Sequence, residues 1–168
     1  MAQAAAEITP PVFILMRTLD SSEFAFVDVR ASVEEAERLL GRCDDPPEDF
    51  LFFDDRGVPL EVVRTPDIAL RPRDAEPDPE LLWRGVGQAL DTTERYLRDG
   101  SGDLAWLAEP FDSFRAALQR HQLDPTHPVA PLPRVYGPYG LCCTILRRWC
   151  CACRPDDGDG PDAAASGG

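Results

Sequence analysis

Five of the six cysteines crowd into one short stretch, as Cys142-Cys143 and Cys150-Cys151-x-Cys153 in GLCCTILRRWCCACRP. Thiols at this density can ligate a metal, pair as disulfides or accept acyl chains. Zinc sites space paired ligands as C-x₂₋₄-C, and adjacent cysteines fit one tetrahedral ion poorly. The two histidines, His121 and His127, both lie upstream of the cluster. Leu141, Ile145, Leu146 and Trp149 flank the thiols together with arginines, a setting that suits S-palmitoylation. Acyl chains and a basic patch are each marginal anchors alone and stable together. The stretch is therefore read as a lipidation site at Cys142, Cys143, Cys150, Cys151 and Cys153. A zinc site, a disulfide cluster and inert thiols stay open as alternatives.

Charge supports a surface-seeking tail. Residues 134–154 hold Arg134, Arg147, Arg148 and Arg154 and no acid, while the whole chain carries a net charge of −13. The acidic remainder argues against a protein that tracks nucleic-acid phosphates. All 17 basic residues are arginine, and the chain has neither lysine nor asparagine. GC-rich coding, bacterial or viral, explains both absences. Without lysine, a Schiff base and a Walker-type phosphate loop are excluded.

The other reactive residue types lack catalytic spacing. Neither histidine stands in a motif, and no G-x-S-x-G or glycine-rich phosphate loop occurs. Cys43 at a helix end reads as packing. Asp44-Asp45 and Asp54-Asp55 read as solvated turns, and the terminal Gly167-Gly168 as part of a low-complexity tail. The expectation is a non-enzymatic protein with no cofactor and no resident metal. No apolar run approaches the roughly 20 residues of a membrane helix, and residues 1–11 lack the pattern of a signal peptide. A cytoplasmic or nuclear protein is expected, membrane-peripheral through its tail.

The elements that must carry these groups follow from pattern. VFILMRT (12–18) and EFAFVDV (23–29) are strand-like and flank the turn residues Leu19-Asp20-Ser21-Ser22. Ser32 and Glu35 form a capping box for a helix over 33–42, with Val33, Ala36, Leu39 and Leu40 on one face. Asp45-Pro46-Pro47 ends it. FLFF (50–53) and VPLEVV (58–63) flank the turn Asp54-Asp55-Arg56-Gly57, and Ile68–Arg71 supplies a short fifth strand. Asp78 caps a helix opening with Pro79, and a further helical stretch spans 104–122. The divisions are a flexible 1–11, a sheet-and-helix unit over 12–71, a helical extension over 78–123, and an irregular 124–168.

Hairpin, helix, Pro-Pro turn, strand, turn, strand is the order of the ubiquitin-like β-grasp. Within that superfamily the chain resembles the elongin B family. Strand one, PVFILMR, opens in the same way; PPEDFLFFDDRGVPL is similar to that family's Pro-Pro-acidic segment and Asp-Asp turn; and AEPFDS (108–113) is similar to an acidic element of its tail. The resemblance covers about residues 11–71. It implies an α+β fold, a β-grasp with a two-helix extension and an irregular Cys-rich tail. The function it implies is a protein-binding adaptor, cellular or a viral mimic, engaging elongin C or a cullin-type ubiquitin-ligase complex.

Both faces of the sheet are apolar. On strand one Phe13 and Leu15 oppose Val12, Ile14 and Met16, and on strand three Phe50 and Phe52 oppose Leu51 and Phe53. One helix covers one face, so the other needs a second cover: either the chain's own 79–98 and 104–122 helices, or a partner. The resemblance places Leu19 and Phe53 among partner contacts, with Phe13 and Leu15 on strand one beside them. A mixed sheet is expected. The rival to the adaptor is a membrane-peripheral scaffold whose own helices bury the sheet.

Overall fold

A computed structural model describes residues 7–18, 22–42, 50–99 and 102–132. The described residues form an α+β fold, with five strands in one sheet and three α-helices among them. The first hairpin is β1 (Val12–Arg17) and β2 (Phe24–Arg30), followed by α1 (Val33–Leu40). The second hairpin is β3 (Phe50–Phe53) and β4 (Pro59–Arg64), and β5 (Ile68–Pro72) closes the sheet. Then come α2 (Pro79–Asp99), a 3₁₀ turn (Gly102–Leu107) and α3 (Ala108–Leu123).

The strand order is β2-β1-β3-β4-β5, and every neighbouring pair is antiparallel. The expected mixed sheet is therefore corrected. β2 and β3 run the same way but are separated by β1, so α1 crosses over β1 in a split β-α-β connection. The apolar pattern of β3 is compatible with either neighbour, and pairing of Phe13 with Phe53 and Leu15 with Leu51 decides it.

Local chemistry accounts for the helix starts. Ser32 Oγ accepts from the Glu35 amide at 3.1 Å, while Glu35 reaches the amide of Ala31 at 3.2 Å, one residue further back than a standard capping box requires. Asp78 Oδ1 accepts from the Leu81 amide at 2.8 Å ahead of α2, with Pro79 as its first residue. Gly57, at φ 78°, turns the β3–β4 connection so tightly against this start that a Cβ would sit 2.6 Å from the Pro79 nitrogen. At the far edge, Glu37 Oε1 accepts from the Leu70 amide of β5 at 2.8 Å.

Two apolar layers result. Val12, Ile14, Met16, Phe50 and Phe52 pack with Ala36, Leu39 and Leu40 of α1. Phe13, Leu15, Val27, Val29 and Phe53 pack with Leu82, Val86 and Ala89 of α2 and Phe111, Phe114 and Leu118 of α3. The helix after residue 78 thus lies on the sheet itself. At Gly85 it comes so close that a Cβ would meet Leu15 Cδ1 at 2.5 Å. Gln88 of the same helix accepts from the Phe24 amide at the end of β2.

Candidate functional site

The second sheet face, whose cover the sequence left to either the chain's own helices or a partner, is occupied by the chain's own helices. Phe13 and Leu15 are fully buried and Phe53 nearly so, all in one cluster with α2 and α3. As exposed contact residues these three are corrected: Leu82, Val86 and Ala89 recur at helical spacing and lay a continuous apolar stripe over them. Leu19 lies outside the described residues, as do Cys43 and the Pro46-Pro47 turn. The same holds for the cysteine cluster (Cys142, Cys143, Cys150, Cys151, Cys153) and for Arg134, Arg147, Arg148 and Arg154. Among the described residues the large apolar side chains facing solvent are Trp106 and Leu123. No helix there is long and apolar enough to cross a membrane, and no group of three His, Cys, Asp or Glu side chains is placed to hold a metal.

Three buried polar centres went unread in the sequence. The first is Asp54, assigned there to a solvated turn. It is wholly buried. Its Oδ1 accepts from the amides of Arg56 and Val58, both at 2.9 Å. Its Oδ2 accepts from the Thr9 amide at 3.2 Å and from Arg56 Nε and Nη2 at 3.1 and 3.0 Å. One carboxylate thus organises the β3–β4 turn and ties the N-terminal segment to it. A short polar side chain before a glycine turn is the only signal of this in the sequence.

The second centre is an ion pair inside β2. Asp28 and Arg30, two residues apart, share the face of β2 that carries Phe26, and both are buried. Arg30 Nε and Nη2 both donate to Asp28 Oδ2, at 2.8 and 2.5 Å. Burial pushes the Asp28 carboxyl above the usual range; Arg30 pulls the other way without cancelling it. The folded chain therefore holds this proton more tightly than the unfolded chain, so Asp28 favours folding at low pH and loses that contribution as pH rises. Asp28→Ala should cost about 3–5 kcal/mol in urea unfolding, because it takes the acceptor away from a buried guanidinium. Joint replacement by Leu at 28 and Met at 30 should be neutral or stabilising. A single Ala variant as stable as wild type would overturn this account.

The third centre is His121 on α3, buried beside the Phe13 and Trp83 rings, whose centroids lie 6.3 and 6.4 Å from its own. Its two nitrogens meet Asp55 of the β3–β4 turn and the backbone carbonyl of His127. Between α2 and α3 lies a cleft of about 120 Å³, floored by Val86, Leu90 and Leu118. Arg115 closes its rim by donating to Asp91 at 2.7 Å and Glu94 at 2.8 Å.

No family model, curated protein or solved structure matches this chain. Its own geometry and sequence are what bear on function.

Proposed function

We propose that the protein is a non-enzymatic, membrane-peripheral scaffold: an acidic α+β body carried on a basic, cysteine-rich C-terminal tether. The observation that carries this reading is the burial of Phe13, Leu15 and Phe53 under α2 and α3. A body that covers both faces of its own sheet needs no partner to complete its core. The tether draws on the sequence, where five cysteines and four arginines without an acid follow the acidic body. Anionic lipid attracts nearby basic residues by about 1 kcal/mol each, so Arg134, Arg147, Arg148 and Arg154 alone give weak, salt-sensitive binding. Acylation of Cys142, Cys143, Cys150, Cys151 or Cys153 makes it persistent.

Fractionation of cells expressing the full chain tests this. Wild type is expected with membranes, and changing all five cysteines to serine should move it to the soluble fraction with the arginines intact. Hydroxylamine, which cleaves thioesters, should do the same to wild type. A wild-type protein that is already soluble, or that binds stoichiometric zinc through these thiols, would replace the tether with a metal site.

A second reading is a ubiquitin-like adaptor for elongin C or a cullin-type complex, with an all-antiparallel sheet in place of the mixed sheet of a β-grasp. It draws support from the order β1, β2, α1, β3, β4 and from the motifs of residues 11–71. It requires a docking surface other than Phe13, Leu15 and Phe53. Specific recovery of elongin C or a cullin on the full chain would favour it over the scaffold.

A further inference from the structure

We infer that the groove between α2 and α3 is the seat of a segment of this chain beyond the described residues, the apolar and basic stretch 141–149 (LCCTILRRW). The mark of an occupant is Gly87. Glycine inside a helix costs stability relative to alanine, and a close neighbour is the usual reason for it. On the sheet side of α2, Leu15 Cδ1 supplies that reason for Gly85. Gly87 faces the groove beside Trp83 and Arg115, and a Cβ there would meet nothing within 4 Å. Nothing among the described residues needs its side chain to be missing. A segment lying in the groove does. The groove holds about 120 Å³, close to the roughly 150 Å³ in which an apolar cavity takes up a benzene-sized group. That is room for one aliphatic or aromatic side chain.

Connectivity, charge and composition select residues 141–149 as the occupant. The His127 carbonyl is bonded to His121, whose ring centroid lies 6.4 Å from that of Trp83. The chain therefore leaves α3 at the Trp83 end of the groove. Val129 is buried in the layer that holds Val86, Leu90 and Leu118, and Leu132 packs against it. From Leu132 to Leu141 the chain reaches at most about 30 Å. Along α2, Trp83 and Leu90 are only about 10 Å apart. At the rim Asp91 and Glu94 meet a single guanidinium, that of Arg115, so the three carry an excess negative charge. Residues 134–154 bring four arginines and no acid to it. Leu141, Ile145 and Trp149 recur at every fourth position there, with Arg147 and Arg148 beside them. One of these apolar side chains fills the notch at Gly87, and the arginines lie against Asp91 and Glu94. A membrane tether uses the same side chains, so seating and lipid binding exclude each other. Seating itself needs no membrane.

Paramagnetic relaxation on the full-length chain, free of lipid, tests the seat. A chain that keeps Cys150 and carries serine at every other cysteine takes one nitroxide label next to Trp149. The amide signals of Gly87, Leu90 and Gln119 should be lost with the label oxidised and return when it is reduced. Those of β5, at the far edge of the sheet, should persist. Gly87→Leu fills the notch from within and puts a better helix former in place of glycine. It should keep the fold and restore the signals of Leu90 and Gln119. No loss in the Gly87 chain would overturn the seat. A loss unchanged by Gly87→Leu would overturn it too, as diffuse attraction of the arginines to the acidic body. So would a loss in an isotope-labelled chain without nitroxide mixed with spin-labelled copies, which would assign the groove to the tail of a second molecule.

Discussion

Phe53→Asp is expected to leave the chain unfolded at room temperature. Phe53 is 2% exposed, pairs with Phe13 across β1 and β3, and belongs to the layer under α2 and α3. Losing a buried phenylalanine costs about 3–5 kcal/mol. A carboxylate at the same place must either enter an apolar layer without a partner or drive the helices off the sheet, at several kcal/mol more. The sum is comparable to the roughly 5–15 kcal/mol that holds a typical domain together. Circular dichroism at 25 °C and a urea titration would show it. A variant that melts cooperatively near the wild-type temperature would mean that α2 and α3 do not hold this face in solution. The face would then be free for a partner, and the adaptor reading would regain its docking surface.

Asp54→Ala should be the most damaging change on the turn side, costing about 3 kcal/mol or more. Removing the carboxylate takes the acceptor from the amides of Thr9, Arg56 and Val58 and from the Arg56 guanidinium at once. The turn would lose the shape that sets Gly57 against Pro79, so the start of α2 should loosen with it. Arg56→Ala should cost less, because that side chain is half exposed and keeps water as an alternative partner. Chemical denaturation of the two variants side by side measures the difference. Equal costs would show that Asp54 acts only through its ion pair and not through the backbone amides.

The elements themselves were legible because their chemistry is local. A continuous apolar run marked β1, Ser32 marked the start of α1, and Asp78-Pro79 marked the start of α2. Strand neighbours were not legible, since FLFF is apolar on both sides and pairs equally well in either direction. The stripe of Leu82, Val86 and Ala89 announced burial without naming what it would be buried against. That gap left open what covers the second face of the sheet, and the seating of Gly85 against Leu15 shows the cover to be the chain's own helix. The polar centres were hidden for a different reason. Asp55 and His121 are 66 positions apart, and each alone looks like an ordinary turn acid and an ordinary helix histidine. Asp54 and Asp55 are adjacent and look alike, yet one organises a turn and the other meets a helix from across the fold.

The far edge of the sheet bears on how the protein behaves when crowded. Among the described residues β5 has no strand beyond it. An unpaired strand edge is a template for strands of other molecules, and a protein concentrated on a surface meets its own copies often. Along β5 the outward amide of Leu70 is already taken by Glu37 of α1. Two residues on, on the same side of the strand, Pro72 has no amide to offer. A second copy approaching this edge finds one donor engaged and the next missing, so this stretch of β5 offers no regular ladder on which cross-β growth could start.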